Sequence, residues 1–153
     1  DGSALPVCAR CCGVYCGACT WKLSGANGDR RHLTEKAKRL DPKELEYWTS
    51  CPGCGAGEHR ADCDFRICAK SKDMDRCVDC GEFPCKLHND FDCDGVAHHA
   101  NSIASLNFLK ENGEGAWLDM QEKRWACACG AKLSWYLPKC LKCGKEANPV
   151  NNR

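Results

Sequence analysis

The stretch from Cys63 to Cys85, CDFRICAKSKDMDRCVDCGEFPC, places five cysteines in 23 residues, at Cys63, Cys68, Cys77, Cys80 and Cys85. Too few large apolar side chains lie between them to hold a fold by packing, so thiolates are expected to organise it. The whole chain shares this shortage. Only 23 of its 153 residues are Leu, Ile, Val or Phe, against 17 cysteines, and the net charge is +1. So few aliphatic residues signal disorder when a chain also repels itself. Without that repulsion, something other than apolar burial must supply folding free energy, and the choice lies between disulfides and metal ions.

Spacing favours metals. Five C-x-x-C pairs are present, Cys8/Cys11, Cys16/Cys19, Cys51/Cys54, Cys77/Cys80 and Cys140/Cys143. Such a pair brings two thiolates to one ion while a turn directs backbone N–H groups at the sulfurs, whereas structural disulfides usually close longer loops. An odd cysteine total would also leave one thiol over in an oxidising compartment. The N-terminus carries no basic and apolar leader pattern, and no stretch has the apolar length of a membrane span. The expectation is a soluble protein of the reducing cytoplasm. With 22 basic against 21 acidic residues there is no electrostatic footprint for nucleic acid. Neither a Ser-His-Asp arrangement, nor a phosphate-cradling glycine loop, nor H-E-x-x-H is found, so no catalytic residue is assigned.

Along the chain, CARCCGVYCGAC at 8–19 offers Cys12, Cys16 and Cys19 as three ligands, with Cys8 and Cys11 as an additional pair. Gly25 to Gly28 reads as a turn. After it, Asp29 is expected to cap a helix with Leu33, Ala37 and Leu40 on one face, and Asp41-Pro42-Lys43-Glu44 to start a second helix burying Leu45 and Trp48. The knuckle CPGC supplies Cys51 and Cys54, and the Cys63–Cys85 stretch supplies five more candidates. His59, His88 and Cys93 are additional groups near these sets. Residues 96–124 lack cysteine and have helical periodicity, with Asn112-Gly113 as a C-cap and a shorter helix from Trp117. His98 and His99, adjacent in sequence, are read as non-ligands.

The C-terminal motif is WACACGAKLSWYLPKCLKCG at 125–144. Cys127/Cys129 and Cys140/Cys143 flank a segment whose Leu133, Trp135 and Leu137 alternate as in a strand, and a glycine follows each pair. Four thiolates with no spare position describe tetrahedral, structural zinc in a ribbon. The polar tail at 146–153 is expected to be disordered. Lys132, Lys139, Lys142 and Lys145 beside Trp135 and Tyr136 make a small basic and aromatic surface, the only feature favouring nucleic acid.

CGVYCGAC at 12–19, CPGC at 51–54, the Cys63–Cys85 stretch and residues 107–144 together resemble a cysteine-rich prokaryotic family, domain of unknown function 3795. Arg66-Ile67-Cys68-Ala69, Phe83-Pro84-Cys85 and the tryptophan-led C-terminal motif carry the resemblance best. Its proteins have no assigned activity, and the resemblance implies small cytoplasmic proteins in which iron-sulfur clusters compete with zinc. This chain departs from the pattern in its short first C-terminal pair, Cys127/Cys129, and in its extra Cys8 and Cys11.

The expected fold is a small, metal-stabilised α+β protein: a multi-metal region at 1–95 with short helices, a helical connector at 96–124, a zinc ribbon at 125–145 and a tail. The expected function is a non-catalytic zinc module acting through a protein partner. The alternatives are an iron-sulfur protein in electron transfer or redox sensing, with a four-iron cluster on Cys12, Cys16, Cys19 and Cys85, and a nucleic-acid-binding ribbon.

Overall fold

A computed structural model describes residues 11–52 and 61–147. Helices dominate it: α1 (Thr20–Asn27), α2 (Glu35–Lys38), α3 (Pro42–Thr49), α4 (Asp64–Ser71), α5 (Lys86–Asp92) and α6 (Ser102–Arg124), with short 3-10 turns between them. The chain divides into two compact units, one of Asp1–Val14 and Gly53–Met120, the other of Tyr15–Pro52 and Gln121–Arg153. No helix among the described residues is long and apolar enough to cross a membrane.

The α+β expectation is overturned. No strand forms among the described residues, and pairing between extended segments is limited to two isolated bridges, Ala126 with Lys132 and Lys139 with Glu146. The alternation read into Leu133, Trp135 and Leu137 fails because Ser134 between them is also fully buried. Its hydroxyl lies 3.0 Å from Nδ1 of the buried His32. Leu137 N–H then turns back to the Ser134 carbonyl, and Pro138 has no N–H to offer a ladder. The result is a folded loop where a ribbon's hairpin was expected. Glu146 and Ala147, read as the start of a disordered tail, help close it, with Ala147 N–H donating to the Pro138 carbonyl at 2.9 Å. Residues 148–153 lie outside the described residues.

In the second unit, Asp29 caps only the 3-10 turn Arg30–His32, and Thr34 accepts from Ala37 N–H to start α2. Leu33, Ala37 and Leu45 still share one small core, with Trp21 and Leu40 at its edge. The Asp41 cap forms as the sequence predicts: Oδ1 accepts from Lys43 and Glu44 N–H, and Pro42 occupies the first helical position. Replacing Asp41 with alanine is expected to cost about 0.5–2 kcal/mol, measurable by urea denaturation. Residues 25–27 do not form the predicted turn. They complete α1, and Gly28, at φ 64°, ends it in the left-handed conformation.

The first unit has more apolar packing than the cysteine-rich stretch predicts. Cys11, Cys12, Phe65, Ala69 and Cys77 form a buried cluster, with Val14, Cys63, Phe83, Leu87 and Phe91 against it. Thiols here act partly as small apolar groups. Leu106, Leu109 and Trp117 are fully buried on α6. Ser105 links these parts, donating to the Gly13 carbonyl at 2.9 Å and accepting from Trp117 Nε1–H at 2.9 Å. Asp92, at the end of α5, caps α6 by accepting from Ser102 Oγ–H and Ile103 N–H. Gly113, at φ 85° and ψ 170°, breaks the helical geometry of α6 where Asn112-Gly113 predicts a stop.

Candidate metal centre

Two turns of the same design meet in the second unit. In the first, Cys127 N–H donates to the Ala131 carbonyl and Gly130 N–H to the Cys127 carbonyl, each at 2.8 Å. In the second, Cys140 N–H donates to the Lys145 carbonyl and Gly144 N–H to the Cys140 carbonyl, each at 2.9 Å. Gly130 (φ 91°) and Gly144 (φ 76°) take backbone conformations that a side chain resists. Each turn thereby presents two thiols to a common point.

The four sulfurs of Cys127, Cys129, Cys140 and Cys143 lie within 4.8 Å of one another. The pairs across the two turns, Cys127 with Cys143 and Cys129 with Cys140, are each 3.6 Å apart. A metal–sulfur bond of about 2.3 Å in tetrahedral geometry requires sulfurs about 3.8 Å apart. The group can therefore hold one metal ion. Electrostatics agree: backbone N–H groups of Cys143 and Lys142, then the Cys129 and Cys127 sulfurs, hold the Cys140 thiol down at about 6. Cys140 is buried at 3% exposure, packed with Leu133 and Leu137. The one-residue-short first pair reaches the site as well as the C-x-x-C pair does.

The other predicted ligands fall into two neighbourhoods. In the second unit, Cys16, Cys19 and Cys51 are close enough to interact, and burial followed by the charges of Cys16 and Cys51 pushes the Cys19 thiol up to about 11. Cys54, the other predicted ligand of the CPGC knuckle, lies outside the described residues, as do Cys8 and His59. In the first unit, Cys12 is buried and Cys63 packs against the same core. Cys68, Cys77, Cys80 and Cys85 line one pocket there, together with His88. Thus Cys12 and Cys85 belong to one unit and Cys16 and Cys19 to the other. Cys93 is exposed.

Three neighbours of these thiols had no assigned role in the sequence. Cys11, set aside as an extra residue, is completely buried, and its hydrogen bond to Cys77, with burial next, raises the Cys77 pKa. His88 is held by both ring nitrogens, Nε2 donating to the Cys11 carbonyl at 2.9 Å and Nδ1 lying 3.1 Å from Cys85 Sγ. Its i, i+3 spacing from Cys85 at the start of a helix was the available signal. Lys72 reaches to 3.7 Å from Cys80 Sγ while also pairing with Glu82. By contrast, His99 bonds to Asp94 at 2.6 Å and stacks on Phe91.

Residues 8–90 match the model of a family described as Protein of unknown function (DUF3795). The match covers the N-terminal cysteines and stops short of the four-sulfur group at 127–143. Neither the curated proteins nor the solved structures contain a match to the chain.

Proposed function

We propose that this chain, which belongs to the DUF3795 family of proteins of unknown function, is a non-catalytic zinc module that works by binding another protein. The observation that carries this reading is the closeness of the Cys127, Cys129, Cys140 and Cys143 sulfurs, with two pairs at 3.6 Å. Zinc suits an all-thiolate tetrahedral set, and four protein ligands leave no open position for water or substrate. The ion would cross-link two turns whose residues Cys127, Ala131, Cys140 and Leu141 already meet in one small apolar cluster. A closed site of this kind favours display of a surface over chemistry, and Tyr136, 36% exposed beside the site's core residues, belongs to the face so displayed.

Elemental analysis tests the zinc assignment. Protein purified under reducing conditions is expected to carry zinc, and Cys143→Ser is expected to lower the content by about one ion per chain, since each thiolate of a closed site is needed for tight binding. Unchanged zinc in Cys143→Ser, or iron at this position, would overturn the reading.

A further inference from the structure

The first unit contains a set of thiols that the zinc site does not use. Cys68 lies on α4, Cys77 begins the 3-10 turn Cys77–Asp79, Cys80 ends it, and Cys85 immediately precedes α5. All four line one pocket, walled by Phe65, Met74, Phe83 and Leu87. Lys72 sits at the rim, with Nζ 3.7 Å from Cys80 Sγ.

The spacing of these sulfurs differs from that at the other site. Among the described residues, the four sulfurs at 127–143 are gathered closely enough to hold one metal ion, and those of Cys68, Cys77, Cys80 and Cys85 are not grouped in that way. The same donor type is gathered for a single ion in one unit and spread around a cavity in the other. A single tetrahedral ion draws its sulfurs together. In a four-iron four-sulfur cube each thiolate binds a different iron, so the ligands stand further apart with an enclosed volume between them. We propose that Cys68, Cys77, Cys80 and Cys85 hold a four-iron four-sulfur cluster in this pocket.

The surroundings fit that cargo. Apolar walls limit the access of water, and the Lys72 ammonium faces the negative charge that four thiolates bring. His88, held by its Nε2–H on the Cys11 carbonyl, packs beside Cys85 and Phe83 in the same wall. The proposal shares no residue with the zinc assignment, so either can fail alone.

The test is anaerobic reconstitution of the full chain with sulfide and equal amounts of ferrous and ferric iron, which supply the mixed valence of the resting cube without a further oxidant. The expected product is brown and holds about four iron and about four sulfide per chain, with a paramagnetic resonance signal after one-electron reduction. Cys68→Ser and Cys80→Ser should each lose most of the iron, while Cys143→Ser should keep the cluster and lose zinc. Should the two ligand variants unfold, Lys72→Met still decides the matter, because Lys72 is an exposed rim residue. Removing its positive charge should leave the iron content intact and move the reduction midpoint to more negative potential. A midpoint equal to that of the unaltered protein would place the cluster elsewhere. Full iron loading in Cys80→Ser, or a colourless protein that binds zinc in this pocket and refuses iron, would overturn the proposal.

Discussion

Replacing Cys140 with serine is expected to abolish the cooperative thermal transition of the second unit, and a chelator that removes the proposed zinc should do the same to the unaltered chain. Cys140 is the buried member of the four-sulfur group, and its thiol is the one most favoured as thiolate by backbone N–H groups. Two of the unit's apolar clusters are small, one built on Leu33, Ala37 and Leu45 and the other on Leu133 and Leu137. A structural zinc contributes an apparent 10–16 kcal/mol, about as much as the entire net stability of an ordinary domain. On the proposed zinc reading, losing the ion would therefore remove the fold of this unit outright. Trp125 and Trp135, at 4% and 8% exposure, report on the same unit, so the measurement is tryptophan fluorescence against temperature. A transition at the unaltered temperature in Cys140→Ser would mean that packing alone suffices.

Gly25→Ala should be the most damaging single methyl in the described part of the chain. A Cβ at Gly25 would sit 1.7 Å from the Thr49 carbonyl oxygen, with the carbonyl carbon at 2.8 Å. Backbone on both sides leaves no flexible side chain to give way. Overpacking generally costs about 1–3 kcal/mol, and more where nothing can yield, so a loss of at least about 3 kcal/mol is expected here. The helices α1 and α3 would have to separate, breaking the contact of Trp21 with Trp48, whose rings lie 5.9 Å apart. Gly28→Ala is the control. It has open space around its Cβ position and suffers only from its left-handed backbone, at φ 64°, so its penalty should be about 1 kcal/mol. Equal midpoints in urea for the two variants would refute the close approach.

The glycine pair also shows where the sequence was legible. Gly25 and Gly28 both read as turn residues, yet one serves an interhelical contact between segments far apart in the chain, and local pattern carries no sign of that. Asp41-Pro42-Lys43-Glu44 was readable because a cap is made of neighbours in sequence. The same holds for the stop at Gly113 and for the glycines behind Cys129 and Cys143, which set two matching turns. The strand through Leu133 to Leu137 was misread because Ser134 is buried by a bond to His32, a hundred residues away in effect and invisible to periodicity. Candidate ligands could be named from the C-x-x-C spacing. The grouping of Cys127, Cys129, Cys140 and Cys143 was legible too, since one short segment joins the two pairs, whereas that of the others was not, since it depends on which elements bring Cys68, Cys77, Cys80 and Cys85 to one pocket.

The order in which the two units are threaded has a practical outcome. Each is assembled from two separate runs of chain, Asp1–Val14 with Gly53–Met120 and Tyr15–Pro52 with Gln121–Arg153. A fragment cut at the edges of the family match, residues 8–90, would therefore leave both halves incomplete: it lacks Leu106, Leu109 and Trp117 of one and the whole four-sulfur group of the other. Expression trials and limited proteolysis should keep both pairs of runs together, however short the cysteine-rich stretch makes the working part look.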